Sequence, residues 1–476
     1  MATSTSTKGG TANSAGKVYG ILAGKLFDSR ERKMLEDQVI MIDRELGVIL
    51  DVINLDKFRQ SRRDNDIEFM DFGTWTLVPG FVDTHVHLFL HAYAETSWND
   101  QVTKESLAER TIRATVHARD TLLAGFTTVR DLGTEGAFDA DISLRKCLSG
   151  REPIIPGPRY YCANRAIVTT GSYGPRSTLY PSNNGVEGVM GAGVADGVDG
   201  CIREVRRQVG VGSDWIKIYA DYRVRAQTAD VSPRLSSGSI RTFNRQELEA
   251  MITTAHNLGL KVAAHANTGA AILDLVDLGV DSIEHGAEMY LDEDQDISVI
   301  KRLAAAKQRT KWVPTLAAYH TLWDNKGGGK TPWDRAKETF VKAVIEEGLE
   351  NVACGGDTGV FDHGGNAKEL ILMRQLGVPW EKVLSWATLG GWECVRGAEW
   401  EGGLGQKRIR ALEENPRKAF DIDRGVPFGV VRKGWVADLI GLEGDLTGSP
   451  EEFESAVTKG VKLVIKSGKI VKWMKE

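Results

Sequence analysis

The chain has 476 residues, 60 Lys+Arg against 65 Asp+Glu, a formal charge of −5 and 42% apolar residues. That length exceeds one simple core and favours a large domain plus a smaller one. The charge offers no basic surplus for nucleic acid, and no apolar stretch is long enough for a membrane span.

Residues 1–16 are mostly Ser, Thr, Gly, Ala and Asn and lack the apolar core of a signal peptide. A disordered tail on a cytoplasmic protein is expected. The five cysteines, Cys147, Cys162, Cys201, Cys354 and Cys394, lack Cys-x-x-Cys spacing, which fits a reducing compartment and offers no thiolate metal site. Residues 17–76 read as short strands at 18–22, 38–42 and 48–52, and similar strands recur at 437–442, 461–466 and 468–471. None is long enough to stand alone, so residues 17–76 and 426–476 are expected to pair into one small discontinuous β-sandwich domain.

Residues 77–425 change to strand, loop and helix in repetition. The stretch Leu77-Val78-Pro79-Gly80-Phe81-Val82-Asp83-Thr84-His85-Val86-His87 reads as the first strand. Side chains two apart on a strand share a face, so His85 and His87 stand together. Helix 106–124, strand 126–130, helix 140–148, strand 159–162 and helix 200–209 follow. Then come strand 215–219, helix 245–258, strand 261–265, helix 270–278, strand 281–285 and helix 297–306. Strand 311–316, helix 333–347 and strand 351–357 complete the series, before helices at 367–375 and 380–389. Eight such units predict an α/β fold closed as a (β/α)8 TIM barrel. The open doubly wound alternative carries a Gly-rich phosphate loop after its first strand, where this chain has His-Val-His.

Active sites of such barrels lie at the strand ends. The expected ends carry His85, His87, Lys217, His265, His285 and Asp357. Each has an ordinary reading: a satisfied core histidine, a helix-capping aspartate, a solvated lysine. That all six fall at strand ends points instead to one metal site. His91, His117 and His256 are left as structural or surface residues.

The ordered motifs Pro-Gly-Phe-Val-Asp-Thr-His-Val-His, Trp-Ile-Lys-Ile-Tyr, Ala-Ala-His-Ala-Asn, Ser-Ile-Glu-His-Gly and Gly-Gly-Asp-Thr-Gly run through residues 78–359. With these, the chain resembles the amidohydrolase superfamily of metal-dependent hydrolases, in the branch of imidazolonepropionase-like, prolidase-like and ochratoxin-hydrolysing amidases. Lys433-Gly434-Trp435-Val436-Ala437-Asp438-Leu439-Ile440 extends the likeness. The resemblance implies two divalent ions, with Zn2+ suited to the donors. One would be held by His85, His87 and Asp357, the other by His265 and His285, and a carbamate on Lys217 would bridge them. The ions would acidify a bridging water and polarise the substrate carbonyl, with Asp357 as general base and then acid. The relatives' Thr-Gly-Gly-His-Gly is replaced here by Thr170-Gly171-Ser172-Tyr173-Gly174, so Tyr173 stands for a histidine.

The expected reaction is cleavage of an amide C–N bond in an N-acyl amino acid or dipeptide-like molecule. Alternatives are a cyclic amide, carbamate or urea derivative as substrate, or a catalytically silent barrel used as a scaffold. The expected partner is a small-molecule amide, with neither nucleic acid nor membrane, and the expected assembly is a homo-oligomer. Substrate contacts are sought in the loops, at Tyr173, Tyr222, Arg223 and His320, with Arg165, Arg176 and Arg225 as further loop arginines. The charged stretch within 398–425 reads as an insertion with a solvated helical face.

Overall fold

The computed structural model describes residues 17–61, 67–173, 191–222, 238–289, 296–307, 309–324 and 331–474. The N-terminal tail, Arg176, Arg223 and Arg225 lie outside these described residues. The fold is α/β. No helix among the described residues is long and apolar enough to cross a membrane.

Strands from the two ends of the chain share one eight-stranded sheet. Val18–Asp28 pairs with Lys33–Asp43, which pairs with Val48–Asn54. On its other side Val18–Asp28 meets Glu68–Asp71 and Thr76–Pro79 in parallel. Thr76–Pro79 then pairs antiparallel with Leu439–Leu442, which leads to Val461–Lys466 and Lys469–Trp473. One face of this sheet packs a core that includes Tyr19, Ile21, Ile40, Leu77, Leu439 and Leu463.

The expected first strand, 77–87, is two strands. Thr76–Pro79 belongs to the terminal sheet, and Phe81–Val86 belongs to a parallel sheet with Phe126–Asp131 and Arg159–Cys162. The chain crosses between sheets at Gly80, where a β-carbon would lie 2.1 Å from Thr127 Oγ1. A second parallel sheet runs through Ile167–Val168, Trp215–Tyr219, Lys261–Thr268, Ser282–Glu288 and Lys311–Val313. Fully buried runs such as WIKIY suit strands covered on both faces.

Two other expected strands differ. The one over 311–316 ends at Val313, because Pro314 has no N–H for a ladder, and a helix starts at Leu316. The one over 351–357 forms two isolated parallel bridges, Trp312 to Val352 and Val86 to Thr358. Gly355 there is pressed against Val313 and Thr84, and Asp357 has φ 61°, which interrupts the pleat. Even so this segment joins the two parallel sheets: Ala353 N donates to Trp312 O at 3.0 Å and Thr84 N to Cys354 O at 2.9 Å.

Helices follow the strands with readable ends. Asn244 and Glu247 form a capping box for Arg245–Asn257, and Gly279, at φ 78°, closes Gly269–Leu278. The stretch expected as helix 333–347 is Pro332–Phe340 followed by a π-helical turn over Val341–Glu346. The charged stretch within 398–425 contains the helix Gly402–Glu414, which buries Gly405 and Leu412.

Candidate functional site

Phe81–Val86 delivers His85 and, one residue beyond its end, His87. His85 Nδ1 meets Glu284 Oε2 at 2.8 Å. Glu284 is held in turn by Arg130 Nη2 at 2.8 Å and Ser282 Oγ at 2.6 Å, while Arg130 Nε donates to Thr84 O at 2.7 Å. With the Nδ1–H given to a carboxylate, His85 keeps its Nε2 lone pair, which faces Asp357 Oδ1 at 3.6 Å. His87 Nδ1 donates to Gly133 O at 2.8 Å and its Nε2 lies 3.2 Å from the same Asp357 oxygen.

His285 sits in the strand Ser282–Glu288 at φ 75°, with Nδ1 2.8 Å from Thr315 Oγ1. Thr315 and Asp357 also have positive φ, 52° and 61°. Such backbone is costly for residues with a β-carbon and clusters at functional sites. Asp83 braces the segment around Asp357: its carboxylate accepts from His85 N, Gly356 N and Asn366 Nδ2.

The donor atoms of His85, His285 and Asp357 lie within 4.8 Å of one another, a spacing fit for one cation. The rings of His265 and His285 are 4.4 Å apart. His265 stacks on Tyr219 at 4.6 Å, and its Nε2 meets Asn267 Nδ2 at 3.2 Å. Lys217, in Trp215–Tyr219, is 1% exposed, and its Nζ has no hydrogen-bond partner among the described residues.

Burial lowers the pKa of His85 to about 4 and of His285 to about 3, and takes His265 well below its usual range. These imidazoles are neutral near pH 7 and hold lone pairs ready for a cation. Burial also opposes charge on His87, but its hydrogen bond to Asp357 wins and lifts it to about 9. Asp357 is held far below the usual carboxylate range: burial works against its charge, and His85 and His87 overcome that. Burial lowers Lys217 to about 8.

A cavity of about 310 Å³ opens beside His265, His285 and Asp357. Tyr222 lines it, as do Asn267, Tyr319, Glu288 and Arg335. Tyr319 donates to Asn267 Oδ1 at 2.8 Å, so a polar chain runs from Tyr319 through Asn267 to His265.

The other expected contacts fare differently. Tyr173 packs edge-on against Tyr219 at 5.1 Å and its hydroxyl bonds Glu135, which places it behind the wall rather than among the lining residues. His320 rests against Trp333 at 5.1 Å and is 3.7 Å from Asp324; its neighbour Tyr319 faces the cavity instead. Arg165 is tied to Asp139 at 2.8 Å. His91 lies between Glu95 and Glu105, at 3.0 and 2.7 Å.

Sequence reasoning overlooked Glu284, Arg130, Thr315, Asn267, Tyr319 and Arg335. Glu284 and Asn267 stand inside quoted motifs, beside the histidines they support, and could have been found there. Arg335 lies in a helical stretch that carries no such signal.

Residues 76–396 match the amidohydrolase family. An uncharacterized protein of Mycobacterium tuberculosis is 25% identical over 337 residues, spanning 68% of this chain and 74% of that one. Ochratoxinase of Aspergillus niger is 27% identical over 231 residues, 46% of this chain and 44% of the fungal protein. Among solved structures, an Xaa-Pro dipeptidase with methionine bound in its active site is similar at a TM-score of 0.71 and 26% identity, over 96% of this chain and 100% of that one.

Proposed function

The chain belongs to the amidohydrolase family and is a hydrolase of carbon–nitrogen bonds; on that premise we propose that it cleaves the amide bond of an N-acyl amino acid or dipeptide-like molecule at a binuclear metal centre. The observation that supports this most is Lys217. Its buried amine has no hydrogen-bond partner among the described residues, yet it lies within electrostatic reach of Asp357 and of His85, His265 and His285. An unpaired buried ammonium is costly. Joining the neutral amine to carbon dioxide, with release of one proton, makes a carbamate whose two oxygens suit cations held by the surrounding imidazoles.

In this reading His85, His87 and Asp357 would hold one divalent ion, His265 and His285 would hold the second, and a carbamate on Lys217 would supply oxygen donors to both. Zinc fits these imidazole and carboxylate donors. When bound, such ions would supply an acidified water and a polarised substrate carbonyl. Asp357 would accept the proton of the attacking water and return it to the leaving nitrogen. Glu284 and the Gly133 carbonyl engage Nδ1 of His85 and His87 and so turn each Nε2 to Asp357. Tyr222, Asn267 and Tyr319 provide hydroxyl and amide groups for the substrate in the adjoining cavity.

We take the two parallel sheets and the 351–358 segment as one (β/α)8 barrel, and residues 17–79 with 426–476 as the β-domain beside it, divided at Gly80.

The test is hydrolysis of N-acyl amino acids, dipeptides and ring amides by the zinc-loaded protein. Release of a free amino acid from the first two supports the reading. Turnover confined to ring amides, carbamates or ureas replaces it with those substrates, and turnover of none rejects it.

A further inference from the structure

Arg335 is the one guanidinium or ammonium among the described residues lining the cavity beside His285 and Asp357. It stands in the helix Pro332–Phe340, whose start is fixed by Pro332 and by a capping box between Thr331 and Asp334. The side chain is largely buried, at 23% exposure. Its charge partner is Glu288, with Oε1 3.6 Å from Nη1, too long for a hydrogen bond. Glu288 Oε2 meanwhile accepts from Ser239 N at 3.0 Å. Arg335 Nε is buried and has no hydrogen-bond partner among the described residues.

A buried charged donor left unmade is destabilising. An arginine close to a helix start also meets the positive end of the helix dipole. An anion in the cavity offsets the charge that Glu288, at 3.6 Å, leaves without a hydrogen bond. A guanidinium presents paired N–H donors, matched to the two oxygens of a carboxylate.

We infer that Arg335, the cation lining this cavity, binds the carboxylate of the substrate's amino-acid part, so that the enzyme selects substrates with a free carboxylate over their neutral amides. The inference rests on the amide-hydrolase reading for its substrate class. Glu288 acts as a positioning residue that holds the Nη1 side of the fork. Leu322 and Trp323 supply an apolar wall of the same cavity for the amino-acid side chain.

The experiment compares hippurate with its neutral amide, hippuramide, on zinc-loaded wild type, Arg335→Met and Arg335→Lys, by turnover and by calorimetric binding. For wild type, hippurate is expected to bind more tightly than hippuramide by about 10- to 100-fold. Arg335→Met should lose about that factor on hippurate, mainly in KM, with hippuramide and metal content nearly unchanged. Arg335→Lys should recover part of it, because charge remains but the fork is lost. Equal losses on both compounds, or no preference in wild type, overturn the inference. Hydrolysis of neither compound counts against the amide-hydrolase reading, and the binding comparison then decides the role of Arg335 by itself.

Discussion

His85 can offer Nε2 to a cation because Glu284 takes the proton on Nδ1, and Glu284 is fixed because Arg130 and Ser282 hold it. Glu284→Gln is therefore expected to weaken zinc binding by about 10- to 100-fold. It should also destabilise the fold by roughly 3–5 kcal/mol, since Arg130 is left buried without its counter-charge. Zinc titration and denaturant unfolding check the two effects, and unchanged zinc affinity would refute the supporting role. Glu369 is a buried carboxyl; burial, with smaller contributions from Asp83 and Asp357, pushes its pKa up to about 8 from an ordinary 4.5, although Ala317 N donates to it at 2.8 Å. A raised folded-state pKa stabilises fully below the ordinary value, and that contribution is lost as pH rises toward the folded value. Glu369 thus makes stability fall between about pH 5 and 8. Glu369→Gln should flatten the profile, gaining on wild type at the upper end of that range. Parallel unfolding profiles for the two proteins would exclude this.

At the scale of elements, Gly80 lets one extended segment serve two sheets. Gly80→Ala puts a methyl 2.1 Å from Thr127 Oγ1, an overpacking expected to cost about 1–3 kcal/mol. Gly403→Ala is the control: it meets nothing within 4 Å in the first turn of Gly402–Glu414 and should be neutral or stabilising by up to about 1 kcal/mol. Equal unfolding midpoints for the two variants would contradict the crossing. Most of the alternation was legible in sequence because buried parallel strands such as WIKIY stand out between amphipathic helices. The candidate ligands were sought at strand ends, but Lys217, His265 and His285 lie within Trp215–Tyr219, Lys261–Thr268 and Ser282–Glu288, because those strands run on past the apolar residues that mark them in sequence. The divided first strand was not legible, since its apolar run is continuous across Gly80 and only pairing partners reveal the break. Nor was the inward face of Leu316–Trp323: reading 311–316 as a strand hid the helix that turns Tyr319 to the cavity and His320 to Trp333. Arg335 resembles any helical arginine until the cavity around it is known.

Across the whole molecule, the C-terminal strand Leu439–Leu442 pairs with Thr76–Pro79, and Gly80 N donates to Asp438 O at 3.0 Å. Asp438 also accepts from the fully buried Arg159 at 2.7 Å. The end of the chain therefore braces the point from which the His85 strand departs, far from it in sequence. From separate segments, His85, His285 and Asp357 bring their donor atoms within 4.8 Å of one another. We propose that His85, His87, Lys217, His265, His285 and Asp357 form a single binuclear site. Elemental analysis of zinc-reconstituted wild type, His265→Ala and His285→Ala tests it most directly. The account predicts about two ions per wild-type chain and a reduced content in each variant, with the loss of metal matching the loss of activity. Wild type without bound metal, or both variants with unchanged content and full activity, would contradict it.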